Sequence, residues 1–191
     1  MDGRPRHLSY HLSRAAESLR AHGAEPGPDR LRSWFVLPEK LPPGLVKWRV
    51  VYGAEGVHSS TTAPYFSRKI ERLRLIDGGD IAYSYKYEDR RRLNALFEKR
   101  DGADELVIVK NGYLTDAVYA NVLLRDEAGW WTPANPLLAG TERAYLLDTG
   151  RVRTRYIRAS EIFMYKEIAL INAMVPFGEA GVLPVSPKTI L

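Results

Sequence analysis

Lys86 is the first residue of this chain whose type and neighbourhood could support covalent chemistry. It lies in the segment YSYKYEDR, with tyrosines at positions 83, 85 and 87. A lysine amine becomes a nucleophile when its surroundings are partly desolvated, because burial favours the neutral form. Tyrosine rings would supply apolar walls for such an amine. Read alone, the segment is more typical of an ordinary exposed lysine.

An acid and an amide follow on a predicted hairpin. The run LVIV leads into Asn111 and Gly112, and Asn-Gly between apolar runs is a strong hairpin signal. Asp116 stands on the second strand, 30 residues after Lys86, and Asn121 follows five residues later. An acid on a hairpin that follows such a lysine is typical of a cofactor site. The alternative for Asp116 is an ordinary turn residue, and for Asn121 an amide at a strand edge.

The start of a later predicted helix is a candidate for binding an anion, and two further segments bear on the comparison below. Gly140, Thr141 and Glu142 begin a predicted helix in LLAGTERAYLL, and a helix start presents backbone N–H groups and a positive dipole end. Asn172 and Ala173 follow the predicted strand EIALIN. Arg14 lies on the predicted first helix, in YHLSRAAES, where a lone arginine is otherwise a common surface residue.

Taken together, these segments resemble the class IV aminotransferases. These pyridoxal-phosphate enzymes include branched-chain and D-amino-acid aminotransferases and aminodeoxychorismate lyase. The resemblance covers nearly the whole chain and is most specific from Tyr83 to Met174. It implies that Lys86 is the catalytic Schiff-base lysine. It also implies that Asp116, where the family usually has Glu, pairs with the protonated pyridine nitrogen and makes the ring an electron sink, while Asn121 helps to hold the site.

The resemblance further implies how the cofactor phosphate is bound. Gly140, Thr141 and Glu142 match a turn that reads Gly, apolar, Thr, Arg in the family, whereas this chain has Gly-Thr-Glu-Arg. We therefore expect the backbone of this turn, rather than its side chains, to contact the phosphate. Asn172 and Ala173 match the second phosphate turn. Arg14 matches the arginine of a His-x-x-Arg helix, which makes a charge-assisted contact with the phosphate.

Two departures from the family pattern concern the N-terminal part and the substrate. The family usually begins with a strand like Phe-Glu-Thr-Ile-Arg, whereas this chain starts MDGRPRH, so we expect a shortened N-terminal part or a misassigned start. The loop GAEGVHSSTTAPY replaces an Arg-Gly-rich substrate loop. Arg49 and Tyr85 are the candidate substrate contacts, with His58 and Tyr65 as further possibilities.

The amino-acid composition argues against several other classes of protein and site. The chain has 191 residues, enough for one large or two small domains. It has no cysteine, which excludes disulfides and thiolate chemistry, and only four histidines, so we expect no metal site. The sequence lacks a long apolar run and an apolar leader near its start, so we expect no membrane span and a cytoplasmic location.

The net charge of +5 raises the question of nucleic-acid binding. The densest basic cluster, Arg90 to Arg92, fits a solvated helix face, and no nucleic-acid motif accompanies it. A phosphorylated or carboxylate ligand also suits this charge. We therefore expect no nucleic-acid partner.

The pattern of elements predicts an α+β fold in two parts with a site between them. The resemblance implies the D-amino-acid-aminotransferase-like (fold type IV) architecture, with the cofactor bound at that site. Residues 1–76 are expected to form a small N-terminal domain, and residues 77–191 a larger β-rich domain that carries Lys86. The predicted helices cover residues 8–21, 29–37, 88–100, 141–148 and 161–166, the last capped by Ser160. The predicted strands cover residues 45–52, 68–76, 106–109, 119–125, 130–132, 151–157 and 167–172, besides the second hairpin strand; residues 53–64 are expected to be a loop.

The expected activity is transfer of an amino group between an amino acid and a keto acid, in a homodimer. The alternative in the same site is elimination of pyruvate from aminodeoxychorismate, which yields 4-aminobenzoate. A further alternative is a relative that binds the cofactor without turnover.

Overall fold

The computed structural model describes residues 3–191, in two compact units that divide between Ser67 and Arg68. The sequence predicts the boundary nine residues later, after Ile76. The difference arises from strand β3 (Leu73–Asp77), which pairs in parallel with strand β4 (Glu105–Lys110). Because those backbone hydrogen bonds join β3 to the larger sheet, it belongs to the second unit.

Two helices and one β-hairpin form the first unit. Helix α1 (Leu8–Ala21) has the predicted bounds and buries Ala15 and Leu19. Helix α2 (Pro28–Ser33) begins with a proline, whose missing N–H costs nothing at a helix start. It ends four residues before the predicted limit. Leu31 of α2 packs with the buried face of α1 in a small core.

The prediction of a loop for residues 53–64 is wrong. Strand β1 (Val46–Gly53) pairs antiparallel with strand β2 (Gly56–Pro64), from Val46 opposite Pro64 to Gly53 opposite Gly56. Most of β2 is exposed, and its small polar residues show no alternation of apolar and polar side chains. The strand exists because β1 supplies hydrogen-bond partners, a cause that a local pattern of hydrophobicity does not reveal.

An eight-stranded mixed sheet organises the second unit, in the order β10-β9-β6-β5-β4-β3, with β7 against β6 and β8 against β7. The strands besides β3 and β4 are β5 (Tyr113–Ala117), β6 (Asn121–Asp126), β7 (Gly129–Pro133), β8 (Arg153–Arg155), β9 (Glu167–Ile171) and β10 (Val182–Pro184). The Asn-Gly hairpin predicted between β4 and β5 is confirmed, with Asn111 and Gly112 both at positive φ. The α+β class is also confirmed.

Helix α3 (Arg91–Phe97), followed by a 3₁₀ turn at Glu98–Arg100, replaces the longer predicted helix 88–100. It starts late because the Asp89 carboxylate accepts the backbone N–H of Arg91 at 2.9 Å. Helix α4 (Thr141–Asp148) has the predicted bounds. The prediction of a Ser160-capped helix is wrong: a 3₁₀ helix spans Ala159–Met164 and is preceded by Arg158, whose N–H donates to Glu161.

Several strand limits also differ from the prediction. The segment 68–76 becomes a strand only at Leu73, and β8 is shorter than the predicted segment 151–157. Strand β10, at the edge of the sheet against β9, lies in a C-terminal segment for which no strand was predicted. None of the helices between residues 3 and 191 is long and apolar enough to cross a membrane.

Candidate active site

Asp116 is a buried carboxyl at the end of β5, directly opposite Asn121 at the start of β6. Its side chain is 4% exposed. One carboxyl oxygen accepts a hydrogen bond from Asn121 Nδ2 at 2.7 Å, and the other accepts the backbone N–H of Leu138 at 2.8 Å. Asn121 Nδ2 also donates to the Leu138 carbonyl at 2.9 Å. The acid and the amide named from the sequence are therefore held as one unit.

Burial raises the pKa of Asp116 to about 6, although the Leu138 and Asn121 hydrogen bonds and the charge of Arg143 act in the opposite direction. The groups that donate hydrogen bonds to this carboxyl are neutral amides. An ionised carboxylate offers about four lone-pair sites, so both oxygens retain capacity for another donor. A cationic donor beside Asp116 would lower its pKa and favour the charged form.

Arg143 belongs to this cluster, and sequence reasoning missed it. Its guanidinium is buried and donates to the Pro133 carbonyl at 3.0 Å, while its Nε is buried without a hydrogen-bond partner. Burial lowers the pKa of Arg143 and the charge of Asp116 opposes that effect. The signal was present in the sequence, because Arg143 is the fourth residue of Gly-Thr-Glu-Arg and the family turn also has Arg in that position.

Gly140 directly precedes α4 and lies close against Asn121. A Cβ added to Gly140 would lie 2.0 Å from Asn121 Oδ1, so only glycine fits while Asn121 keeps its position. Helix α4 starts without a side-chain cap. Its first residue, Thr141, is buried. Such a helix start can bind an anion through backbone N–H groups and the helix dipole.

The contact between Gly140 and Asn121 gives the first prediction. Gly140→Ala is expected to displace Asn121 and to destabilise the protein by about 1–3 kcal/mol, the cost of leaving buried polar groups unpaired. Urea unfolding measures this. Gly178→Ala is the matched control, since an added Cβ there meets nothing within 4 Å and the backbone is not in the left-handed region. Equal stability of the two variants would contradict the prediction.

Glu142, the departure from the family turn, directs its carboxylate to another part of the chain. The side chain is 2% exposed, and Oε1 accepts the backbone N–H of Phe177 at 3.1 Å. The carboxylate therefore contributes to the packing of the segment after β9. The expectation that the backbone of residues 140–142, rather than their side chains, contacts the phosphate stays a prediction.

Asn172 and Ala173 form a tight turn after β9. Asn172 Oδ1 accepts the backbone N–H groups of Met174 and Val175 at 2.8 and 3.0 Å. Its Nδ2 donates to the Tyr119 carbonyl at 3.1 Å, which joins this turn to the connection between β5 and β6. The side chain of Asn172 thus shapes the turn, and its backbone N–H and carbonyl pair with Val175 at 3.0 and 3.1 Å.

Lys86 lies in an irregular segment and is exposed in the isolated chain. The Tyr83 hydroxyl donates to the Tyr87 carbonyl at 2.6 Å, which closes a small loop around the lysine. The ring of Tyr87 makes edge contacts with Tyr83 at 5.9 Å and with half-buried Tyr85 at 6.0 Å between centroids. The tyrosines thus pack on one another around Lys86, and Tyr83 belongs to the core that includes α3.

Arg14 and Arg49 belong to the first unit. Arg14 is half-buried on α1. Burial raises the pKa of Tyr52, and the positive charge of Arg14 opposes that effect, which indicates that the two side chains are close. Arg49 is exposed on β1. Within the described part of the chain, no three His, Asp or Glu side chains are grouped so that they could hold a metal ion.

The raised pKa of Asp116 predicts a pH dependence of stability in the cofactor-free protein. Between pH values of about 4 and 6 the folded state binds a proton that the unfolded state releases, so this contribution to stability is present at low pH and is lost as pH rises through about 6. The loss amounts to up to about 3 kcal/mol. Urea unfolding of wild type and Asp116→Asn tests it, because the stability difference should change across this window and be constant above it. A difference independent of pH would contradict the prediction.

The family-model comparison matches residues 86–186, more than half of the chain, to amino-transferase class IV. The chain belongs to this family. A protein of Haemophilus influenzae, itself described as uncharacterized, is 37% identical over 178 residues, which cover 91% of this chain and 93% of the relative.

Solved structures agree with this family. A Haemophilus somnus protein, provisionally named a 4-amino-4-deoxychorismate lyase, is 30% identical, with a TM-score of 0.78 over 90% of this chain and 91% of that one. A hypothetical aminotransferase of Mycobacterium tuberculosis, solved with pyridoxal phosphate bound, has a TM-score of 0.71 at 18% identity, over 96% of this chain and 75% of that one. The predicted class IV fold and the prediction of an enzyme of this family are confirmed.

Proposed function

We propose that this protein is a pyridoxal-phosphate-dependent enzyme that transfers an amino group between an amino acid and a keto acid. The observation that carries the proposal is the buried Asp116 carboxyl, whose hydrogen-bond donors are neutral amides and whose pKa is raised by burial. Such a group is stabilised in its charged form by a cation that donates to it. A protonated pyridine nitrogen is a cation of this kind.

The residues around Asp116 fit the rest of the cofactor. The uncapped start of α4 suits a phosphate, and Gly140 lets this helix start lie directly against Asn121, which donates to Asp116. The Asn172–Ala173 turn, linked to the β5–β6 connection through Tyr119, is the second candidate for phosphate binding. The buried Arg143 adds positive charge near both Asp116 and the start of α4.

Each residue would have a separate role in the reaction. When bound, pyridoxal phosphate supplies an electron sink for the pair of electrons released at the α-carbon of the substrate. Lys86 would hold the cofactor covalently and then move a proton at that α-carbon. Asp116 would keep its negative charge opposite the ring nitrogen, and Asn121 would orient Asp116 through the 2.7 Å hydrogen bond. Arg49 and Tyr85 are the proposed substrate contacts.

Arg14 is proposed to contact the cofactor phosphate, by analogy with the family's His-x-x-Arg helix. Arg14→Ala should weaken binding of pyridoxal phosphate by about 1.5–3 kcal/mol, the range for a hydrogen bond to a charged group. Fluorescence titration of the cofactor-free protein measures this. Arg20→Ala, which removes an exposed arginine from the same helix, is the matched control. Unchanged affinity in Arg14→Ala would exclude Arg14 from the phosphate site.

A second candidate function is elimination of pyruvate from 4-amino-4-deoxychorismate. It is favoured by the Haemophilus somnus structure, which is 30% identical over 90% of this chain and carries the provisional name of that lyase. Lys86 and Asp116 would serve either reaction, because both begin with proton movement at a carbon activated by the same ring.

One assay separates the two reactions. A transaminase given amino donors without keto acid should lose the visible absorbance of its bound cofactor and gain near-ultraviolet absorbance, and 2-oxoglutarate or pyruvate should reverse the change. A lyase should release pyruvate and 4-aminobenzoate from aminodeoxychorismate without any keto acid and without a lasting spectral change. Bound cofactor with neither reaction would identify a non-catalytic relative.

The family also suggests a homodimer that acts in the cytoplasm on small amino and keto acids, and this assembly is part of the proposal. Light scattering coupled to size-exclusion chromatography tests it. The expected mass is twice the 21.6 kDa of one chain. Elution at the mass of one chain, with cofactor bound, would exclude the dimer.

A further inference from the structure

The turn between β5 and β6, residues 117–120, connects Asp116 to Asn121 and also binds two other segments. The turn is closed by a hydrogen bond from Ala117 N to the Ala120 carbonyl at 2.9 Å. Its Val118 carbonyl accepts from Arg90 Nη2 at 2.8 Å. Its Tyr119 carbonyl accepts from Asn172 at 3.1 Å. The segment that carries Lys86 and the segment that carries Asn172 are therefore both hydrogen-bonded to this one turn.

Arg90 forms the connection on the Lys86 side. Its other amino group, Nη1, donates to the Tyr83 hydroxyl at 3.1 Å, and that hydroxyl donates onward to the Tyr87 carbonyl at 2.6 Å. The guanidinium also lies over the rings of Tyr83 and Tyr119, at 5.2 and 4.9 Å from their centroids. The planar fork of arginine can hold two acceptors at a fixed angle, which a lysine ammonium does not do.

The two neighbouring arginines are exposed and form ion pairs, whereas Arg90 does not belong to an exposed row of charges on a helix face. Arg91 pairs with Asp89, and Arg92 pairs with Asp80, in exposed ion pairs. Such pairs contribute little to stability. Arg90 alone of the three is half-buried, and it donates to the Val118 carbonyl in the turn between β5 and β6.

Lys86 needs this support because it lies in an irregular loop and has a long, flexible side chain. The Tyr83–Tyr87 hydrogen bond fixes the two ends of the loop, and Arg90 fixes the loop to the turn that follows Asp116. Misplacing a catalytic group by about 1 Å can reduce a rate by about 10²-fold.

We propose that Arg90 is a positioning residue, which sets Lys86 relative to Asp116 by joining the Tyr83–Tyr87 loop to the Val118 carbonyl. The effect on catalysis rests on the proposed function of Lys86. The mechanical link, meaning the hydrogen bonds by which Arg90 joins the loop to the turn, does not depend on that function. Arg90 itself touches neither substrate nor cofactor in this inference.

The mechanical link is tested without cofactor, by amide hydrogen exchange of the full-length protein. Arg90→Ala should speed exchange of the hydrogen-bonded amides of Tyr87 in the loop and Ala117 in the turn by about tenfold or more, because two hydrogen bonds of the guanidinium are lost. Arg100→Ala is the matched control: Arg100 also lies over an aromatic ring, Phe97 at 4.5 Å, and donates to that residue's carbonyl at 3.2 Å. Equal exchange of the Tyr87 and Ala117 amides in both variants would overturn the proposal.

The catalytic consequence is tested with cofactor bound. Borohydride reduction followed by peptide mapping gives the fraction of cofactor fixed to Lys86, and turnover is measured at saturating substrate. In Arg90→Ala we expect kcat to fall on the order of 10²-fold, with slower fixation at Lys86. Tyr83→Phe keeps the buried ring and removes only the hydroxyl, so it serves even if Arg90→Ala does not fold, and it should lower kcat by about tenfold.

The outcomes distinguish this inference from the proposed function. If wild type fixes no cofactor at Lys86, the proposed function fails, and hydrogen exchange alone then decides the mechanical link. If wild type fixes cofactor but Arg90→Ala and Tyr83→Phe match wild type in both fixation and kcat, Arg90 does not position Lys86. Rescue of kcat by Arg90→Lys would also overturn the proposal, because it would show that charge alone suffices.

Discussion

Lys86→Ala is expected to abolish borohydride fixation of pyridoxal phosphate and to lower turnover by about 10²–10⁴-fold, the usual contribution of a positioned proton-transfer group. The reason is that Lys86 would provide both the covalent link and the proton transfer at the α-carbon. The variant should fold normally, because Lys86 is exposed. Mass spectrometry of the reduced peptide and single-turnover kinetics measure the two effects.

Lys110→Ala is the control for Lys86. Lys110 is a half-buried lysine at the end of β4, and its ammonium donates to the Ile81 carbonyl at 2.6 Å. Its loss should leave fixation and turnover near the wild-type values. Cofactor fixed to the Lys110 peptide in wild type, or full activity in Lys86→Ala, would show that the lysine has been misassigned.

Asp116→Asn should lower kcat on the order of 10²–10³-fold, as expected when a preorganised charge is removed from a reaction site. Asparagine nearly matches aspartate in size, so the variant should still bind cofactor. It cannot supply negative charge opposite the ring nitrogen, so the cofactor would lose its capacity as an electron sink. Steady-state kinetics at saturating cofactor measure the effect.

Two further variants make the test of Asp116 specific. Asp116→Glu keeps the charge and has the acid usual in the family, so it should retain more activity than Asp116→Asn despite the strain of an added methylene in a buried site. Asp148→Asn removes an exposed aspartate from α4 and should have no effect. Wild-type activity in Asp116→Asn would mean that another acid pairs with the ring nitrogen of the cofactor.

Much of the second unit followed from local patterns. The Asn-Gly turn predicted the hairpin of β4 and β5 because few residues other than Asn and Gly adopt its backbone conformation readily. Helices α1 and α4 have the predicted bounds, and each is followed by a glycine at positive φ, Gly23 and Gly150. The prediction failed for β2, where exposed polar residues form a strand only because β1 lies beside them.

The candidate site likewise combines residues identified from the sequence with contacts that only the tertiary structure determines. Lys86, Asp116, Asn121 and Gly140 were proposed as site residues because their segments resemble the motifs of the family, a comparison that needs the sequence alone. Tertiary structure decided that Asp116 is buried with a raised pKa, and that Gly140 has no room for a Cβ beside Asn121. It also brought Arg143 near Asp116 and attached Arg90 to Val118, across 28 residues of sequence. Those relations depend on which strands pair and which side chains are buried together, and long-range packing, rather than local sequence, sets both.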